Sequence, residues 1–234
     1  MIKTDVVILG GGVIGLSIAL KMLNAGREVI LLDPEEPGTG TSYGNAGTIA
    51  EYAVLPVGSP EIIKKLPSLL FNKNSPISVK RSEILSLAPW LIRFLYQSMP
   101  KQAAKNAQAI TDLLANSRLR WEELADQING QSILNSNGNI YLYKTDSSYE
   151  SGLKDINNRK KYGLNAEMLN PSELNKLEPN LNFSEGGASY FPDGAYMSDP
   201  GKMTKLLLDA SVKKDVRLLR KQPIELRGLV KGLR

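Results

Sequence analysis

Asp5-Val6-Val7-Ile8-Leu9 runs directly into Gly10-Gly11-Gly12-Val13-Ile14-Gly15, and Glu28-Val29-Ile30-Leu31-Leu32 closes on Asp33-Pro34. Residues 5–9 are short and almost wholly apolar, the mark of a strand buried on both faces of a parallel sheet. Three glycines make a turn. Residues 13–25 have helical spacing, with Ile14, Ile18, Met22 and Ala25 near one face and Gly26 as the glycine just past the end. Residues 28–32 form a second buried strand, stopped at Asp33-Pro34. Strand, turn, helix, turn, strand in this compass is a βαβ unit.

The turn matches G-x-G-x-x-G. Gly10 permits the tight bend, Gly12 lets backbone approach a pyrophosphate, and Gly15 lets the helix pack close to the strand. A pyrophosphate then meets the N–H groups and positive dipole end of the helix. Asp33 lies 18 positions beyond Gly15 (33 minus 15). A carboxylate there accepts hydrogen bonds from a ribose diol, which fits FAD or NAD rather than NADP. The plain alternative is a glycine turn with no ligand; the preceding strand, the following helix and the acid all weigh against it.

Working outward, the chain has 234 residues, 42% hydrophobic and 23% charged, enough apolar side chain for one large domain or two small ones. It has no cysteine and no histidine. Disulfides, thiolate metal sites and histidine general bases are therefore excluded. The net charge is +5, read as dispersed, with small clusters at Arg159-Lys160-Lys161, Lys213-Lys214 and residues 217–221. No basic stripe interleaved with aromatics occurs, so no nucleic-acid partner is expected. The apolar residues 6–9 lack the features of a signal peptide, and no apolar run approaches the roughly 20 residues of a membrane span. A cytoplasmic chain, peripheral on the inner membrane face at most, is the expectation.

Residues 34–60, dense in Gly, Pro, Ser, Thr and Asn, read as loop. Helical patterns cover 85–99, 102–127, 147–162 and 171–177, and strands are expected at 140–143, 187–191, 195–197, 216–219 and 224–226. Asp199 suits an N-cap, with Pro200 opening a helix that runs to 213. The expected division is 1–60 for the βαβ unit and its loop, 61–192 for an inserted α+β region, and 193–234 for a return to the first domain.

Thr41-Ser42-Tyr43-Gly44-Asn45-Ala46-Gly47 resembles the T-S-x-x-N-A-G signature of FAD-dependent D-amino-acid dehydrogenases, a branch of the D-amino-acid oxidase-like or glycine oxidase-like flavoenzymes. The glycine turn, Asp33 and this loop stand in the family's order and spacing. Leu177-Glu178-Pro179, Gly186-Gly187 and Asp199-Pro200 are looser landmarks. The resemblance covers the whole chain, strongly to residue 60 and loosely after it. It implies a Rossmann-like α/β fold, a parallel FAD-binding sheet with an inserted α+β substrate region, truncated at the C-terminus. It implies FAD held by Gly10, Gly11, Gly12, Val13, Ile14, Gly15, Asp33, Pro34, Thr41, Ser42, Asn45, Ala46 and Gly47. From the residues alone, Thr41 and Ser42 offer hydroxyls for phosphate oxygens, and Gly44 to Gly47 are small enough for backbone to lie near a flat ring; an ordinary polar surface loop is the alternative. The implied reaction is hydride transfer from a D-amino acid to flavin, giving an imino acid that hydrolyses to a 2-oxo acid. No histidine base is needed if the substrate amine is neutral, and no catalytic residue is assigned. The implied electron acceptors include a membrane quinone.

Members of this family are much longer. They carry more of the FAD domain, and an arginine for the substrate carboxylate, beyond the length seen here. Their adenine-contacting valine corresponds to Pro223-Ile224, where proline has no N–H to give. A second reading follows from this departure: a non-catalytic remnant, or a subunit whose FAD site a partner chain completes. Leu87, Trp90, Phe94 and Leu95, flanked by Lys80, Arg81, Arg93 and Lys101, form an apolar stripe. Packing on the protein's own core is its plainer reading, and a membrane surface the other. Tyr190 and Tyr196 are read as packing residues rather than substrate contacts.

Overall fold

The computed structural model describes residues 3–63 and 84–220. Residues 224–226, Pro223, Lys80 and Arg81 lie outside the described residues. The element order is β1 (Val6–Leu9), α1 (Val13–Asn24), β2 (Val29–Leu32), β3 (Thr48–Ile49), α2 (Ile84–Gln97), α3 (Pro100–Leu114), α4 (Ser117–Ile128), β4 (Leu134–Asn135), β5 (Asn139–Tyr143), α5 (Asp146–Lys160), β6 (Glu167–Leu169), α6 (Pro171–Leu177), β7 (Gly187–Phe191), β8 (Ala195–Met197), α7 (Pro200–Val212) and β9 (Arg217–Leu219). Two units emerge, Met1–Ile49 with Arg118–Ser136 and Ala195–Arg234, and Ala50–Ser117 with Asn137–Gly194. Arg118–Ser136 thus groups with the first unit although it falls within the span read as an insertion.

The first unit contains a parallel sheet in the order β1-β2-β9. Val6 pairs with Val29 and Leu9 with Leu32, while Ile30 pairs with Arg217. The central strand β2 is apolar and buried, whereas β1 is an edge with Val7 and Leu9 about half exposed. The expectation of burial on both faces holds for β2 and fails for β1, which is an edge strand among the described residues and buries Ile8 on one face while Val7 and Leu9 on the other stay about half exposed. Helix α1 starts at Gly12 without a side-chain cap of its own and ends at Gly26, whose φ is 74° and whose N–H donates to the Leu23 carbonyl. Its buried face is Gly15, Leu16, Ala19 and Leu20. That is not the face read from the sequence, since Ile14 and Ile18 are exposed. The helix is apolar nearly all round, so periodicity cannot choose a face. Helix α7 packs against α1, with Met203 and Leu207 wholly buried. The Asp199 carboxylate caps α7 by accepting from the Lys202 N–H at 2.8 Å. A second, antiparallel sheet β3-β8-β4 completes the unit, with Thr48 opposite Tyr196 and Leu134 opposite Met197.

The second unit is built on an antiparallel sheet β5-β7-β6. Its core joins Tyr52, Ile156, Ala166 and Phe191. Tyr52 stacks on Phe191 with centroids 4.1 Å apart, and Arg159 sits over the same Phe191 ring while donating to the Tyr52 carbonyl. Capping boxes start α5 (Thr145 with Ser148) and α6 (Asn170 with Glu173). Residues 102–127, read as one helix, are two: α3 and α4 part at Ala115-Asn116, where Asn116 adopts a left-handed φ of 62°. Asparagine tolerates that region better than most residues, so the chain turns there. The loop read at 34–60 includes the short strand β3, and β6 had no sequence signal of its own.

Candidate cofactor site

The glycine turn, Asp33 and Ser42 meet at the N-terminus of α1. Gly10 has φ 96° and its N–H donates to the Leu32 carbonyl at 2.8 Å, so the turn is tied to the end of β2. A Cβ on Gly15 would overlap the Gly10 carbonyl oxygen. Glycine is therefore required there for α1 to sit this close to β1. A Cβ on Gly12 would come 3.0 Å from Ser42 Oγ, so its missing side chain leaves the approach to the helix end open.

Two side chains from elsewhere in the unit reach this turn. The Gly11 N–H donates to Asp33 Oδ2 at 2.6 Å, and the Glu35 N–H donates to Asp33 Oδ1 at 2.9 Å. The Val13 N–H donates to Ser42 Oγ at 3.0 Å. First-turn N–H groups have no partner within a helix, and here a loop hydroxyl supplies one. The loop around Ser42 is internally braced. Asn45 Nδ2 donates to the Ser42 carbonyl at 2.9 Å, and Asn45 Oδ1 accepts from the Gly47 N–H at 2.7 Å. Gly47 has φ 67°, and its carbonyl accepts from the Met197 N–H at 2.8 Å, which anchors the loop to β8.

Of the residues singled out from sequence, Gly10 to Gly15, Asp33 and Ser42 come together. Thr41, Asn45 and Ala46 are exposed along the adjoining loop, Gly47 is buried at its base, and Pro34 is exposed beyond Asp33. Tyr196 lies across from Thr48 in the second sheet. In the second unit the Tyr190 ring packs over Gly138. Sequence reading missed a neighbour of Asp33: a cavity of about 60 Å³ lined among others by Leu31, Asp33, Pro37, Leu218 and Arg220. Its rim carries an exposed ion pair, Arg220 to Glu36 at 3.6 Å. The cavity is far below the several hundred Å³ of a ligand pocket. The local signal for this feature was the run Asp33-Pro34-Glu35-Glu36-Pro37, but its partner Arg220 is remote in sequence.

This arrangement fits the diphosphate and ribose of a dinucleotide. First-turn N–H groups without a partner inside the helix, a glycine without a Cβ where backbone must be approached, hydroxyls for phosphate and a carboxylate at the end of the second strand are the matching parts. Fold and site together define a dinucleotide-binding α/β protein.

Residues 5–233 match the FAD dependent oxidoreductase family, and the chain belongs to it. It is 29% identical over 218 residues to a D-amino-acid oxidase of Bradyrhizobium diazoefficiens, covering 92% of this chain and 52% of that protein. It is 30% identical over 177 residues to a D-amino acid dehydrogenase of Xylella fastidiosa, covering 75% of this chain and 41% of that protein. Among solved structures, glycine oxidase from Geobacillus kaustophilus aligns with a TM-score of 0.57 at 21% identity, over 92% of this chain and 46% of that one. L-amino acid deaminase from Proteus vulgaris aligns with a TM-score of 0.59 at 15% identity, over 92% and 44%. The likeness to the two solved structures establishes the fold. The chain spans about half the length of the relatives it matches.

Proposed function

We propose that this chain forms the FAD-binding part of an oxidoreductase that converts D-amino acids to 2-oxo acids. The observation that carries the reading is the hydrogen bond from the Val13 N–H to Ser42 Oγ at 3.0 Å. It draws the T-S-x-x-N-A-G loop onto the first turn of α1, beside the glycine turn. Relatives named D-amino-acid oxidase and D-amino acid dehydrogenase support the choice of substrate.

In this reading Gly10 to Gly15 and the N–H groups of the first turn of α1 hold the pyrophosphate, and Asp33 with Pro34 serves the ribose end. A hydroxyl that accepts from Val13 retains its own O–H, so Ser42 donates to a phosphate oxygen without giving up its hold on the helix. Thr41 adds a second hydroxyl, and Asn45, Ala46 and Gly47 run beside the flavin ring. Bound FAD supplies the two-electron acceptor for the hydride of the substrate Cα, and the imino acid so formed hydrolyses to a 2-oxo acid and ammonia. Residues 1–60 and 193–234 serve the cofactor and 61–192 the substrate side. A membrane quinone takes the electrons onward.

A second reading is favoured by one observation. Val7 and Leu9 on β1 are 50% and 48% exposed, although parallel sheets are covered on both faces. Further polypeptide, on the same chain or on a partner, then completes the FAD domain. The test is the visible spectrum of the purified chain with and without FAD, followed by D-alanine without oxygen. A bound-flavin spectrum that bleaches supports the enzyme. Flavin uptake without bleaching, or no uptake by the chain alone, supports the incomplete subunit and overturns activity of the isolated chain.

A further inference from the structure

Residues 38–47 run along the first turn of α7, and a glycine marks each close approach. A Cβ on Gly38 would come 3.3 Å from Thr204 Cβ, and one on Gly47 would overlap the Met197 carbonyl oxygen and come 3.1 Å from Pro200 Cγ. In a third approach the parts are exchanged, with the glycine on the helix and the side chain on the loop. A Cβ on Gly201 would come 2.8 Å from Tyr43 Cδ2 and 2.9 Å from Cε2, closer than carbon atoms pack. One edge of the Tyr43 ring thus takes the place of a Gly201 side chain, although the residue as a whole is 66% exposed.

The backbone at Gly201 does not call for glycine. The residue is the second of α7, its φ is not positive, and a helix favours alanine over glycine. The cap of α7 is made by Asp199 and the Lys202 N–H, without Gly201. What requires glycine is the ring. Tyr43 follows Ser42 directly, and its N–H donates to the Gly40 carbonyl at 3.0 Å, so the ring and the Ser42 hydroxyl leave one tight turn. Ser42 Oγ accepts from the Val13 N–H only while that turn keeps its place. Helix α7 is a rigid reference for it, and a loop ordered beforehand binds its ligand without the cost of being ordered.

We propose that Tyr43 and Gly201 form a ring-and-socket brace that sets the position of Ser42 at the first turn of α1, and through Ser42 the affinity for the cofactor diphosphate. Both are positioning residues. Neither touches the diphosphate; Tyr43 holds its neighbour, and Gly201 leaves the room for Tyr43 to do so. The second half of the inference rests on the proposed FAD site. The first half, the hold on Ser42, is a property of the chain without cofactor and is measured there.

The test reads two quantities on the full chain: hydrogen exchange of the Val13 amide without cofactor, by NMR, and FAD affinity by fluorescence titration. Gly201→Ala fills the socket and turns the ring out. The Val13 amide should then exchange about fivefold faster and FAD should bind about fivefold more weakly. The thermal midpoint should stay level or rise, because alanine suits the helix better. Tyr43→Ala empties the socket and should give the same two changes. The double variant should be no worse than either single one, since both remove one contact. Tyr43→Phe keeps the ring and should restore both values. Val13 exchange that ignores both single substitutions overturns the proposal, as do losses that add in the double variant. A lower midpoint in Gly201→Ala also overturns it, because a distorted α7 would then explain the loss. If the parent chain takes up no FAD, the exchange result alone decides the brace, so its failure and that of the cofactor reading stay distinct.

Discussion

A single missing methyl group holds the cofactor site together. The Gly10 carbonyl oxygen fills the place a Gly15 side chain would take, and both atoms in conflict would be attached to backbone. Gly15→Ala must therefore push α1 from β1 rather than rotate a side chain. We expect a loss of about 1–3 kcal/mol in denaturant unfolding together with loss of flavin uptake. Retention of both would show that the turn is looser than its geometry. Ser42→Ala is milder. It removes the acceptor of the Val13 N–H, at a cost of about 1 kcal/mol, and weakens FAD titrated into the chain about tenfold. A third expectation concerns Tyr52, 4% exposed, whose hydroxyl is held protonated well beyond the usual phenol range by burial and then by the neighbouring Tyr141. The native state thus keeps a proton that the unfolded chain loses near pH 10, so the stability is present below about pH 10 and falls as the pH rises above it. Tyr52→Phe should flatten that alkaline limb in unfolding curves, and parallel limbs would assign the fall to other groups. These residue-scale features differ in how visible they were. Gly10 to Gly15 and Asp33 were legible because their spacing is local and each has a steric or ionic duty. Ser42 was legible as a hydroxyl in the loop, but its hold on Val13 needed the loop to fold back across 29 positions.

At the scale of elements, the sequence reading is sound where caps and turns are explicit. Asp199-Pro200 opens α7 and Pro171 opens α6, each with a side chain accepting from a first-turn N–H. It is weak where apolar residues surround a helix, as in α1, whose buried stripe is Gly15, Leu16, Ala19 and Leu20. A helix packed through small residues hides its contact face, since glycine and alanine carry little hydrophobic signal. The break between α3 and α4 escaped for another reason. Ala115-Asn116 leaves the hydrophobic period undisturbed, and the helix ends where Ala115 becomes extended, with ψ 128°, and Asn116 takes a positive φ. Asn116→Gly should therefore preserve or raise stability. Asn116→Val, β-branched in the left-handed region, should cost about 1–2 kcal/mol. Equal stability of the two variants, by thermal unfolding, would mean the turn at 116 relaxes without the left-handed conformation.

For the molecule as a whole, each unit has its own apolar core and the cofactor residues belong to the first. The parallel sheet was readable from residues 5–33, and the family from the Thr41 to Gly47 loop. The state of the sheet's edge was not, because a strand of Val-Val-Ile-Leu looks the same whether it is covered or bare. In the folded chain Ile8 faces the core at 8% exposure, while Val7 and Leu9, on the opposite side of the strand, stand near half exposed, and Ile14 on α1 is 73% exposed. An edge strand with an apolar, uncovered face is a template for association. Charge placed there opposes pairing without disturbing the core, since the side chains already meet solvent. Val7→Lys should lower light scattering by the concentrated chain while leaving its thermal midpoint within a few degrees, as surface substitutions typically change stability by about 0.5 kcal/mol or less. The same substitution should block completion of the sheet by added polypeptide. A large fall in the midpoint would instead show that Val7 is already covered by the chain's own residues, and the edge of β1 would then be closed to any partner.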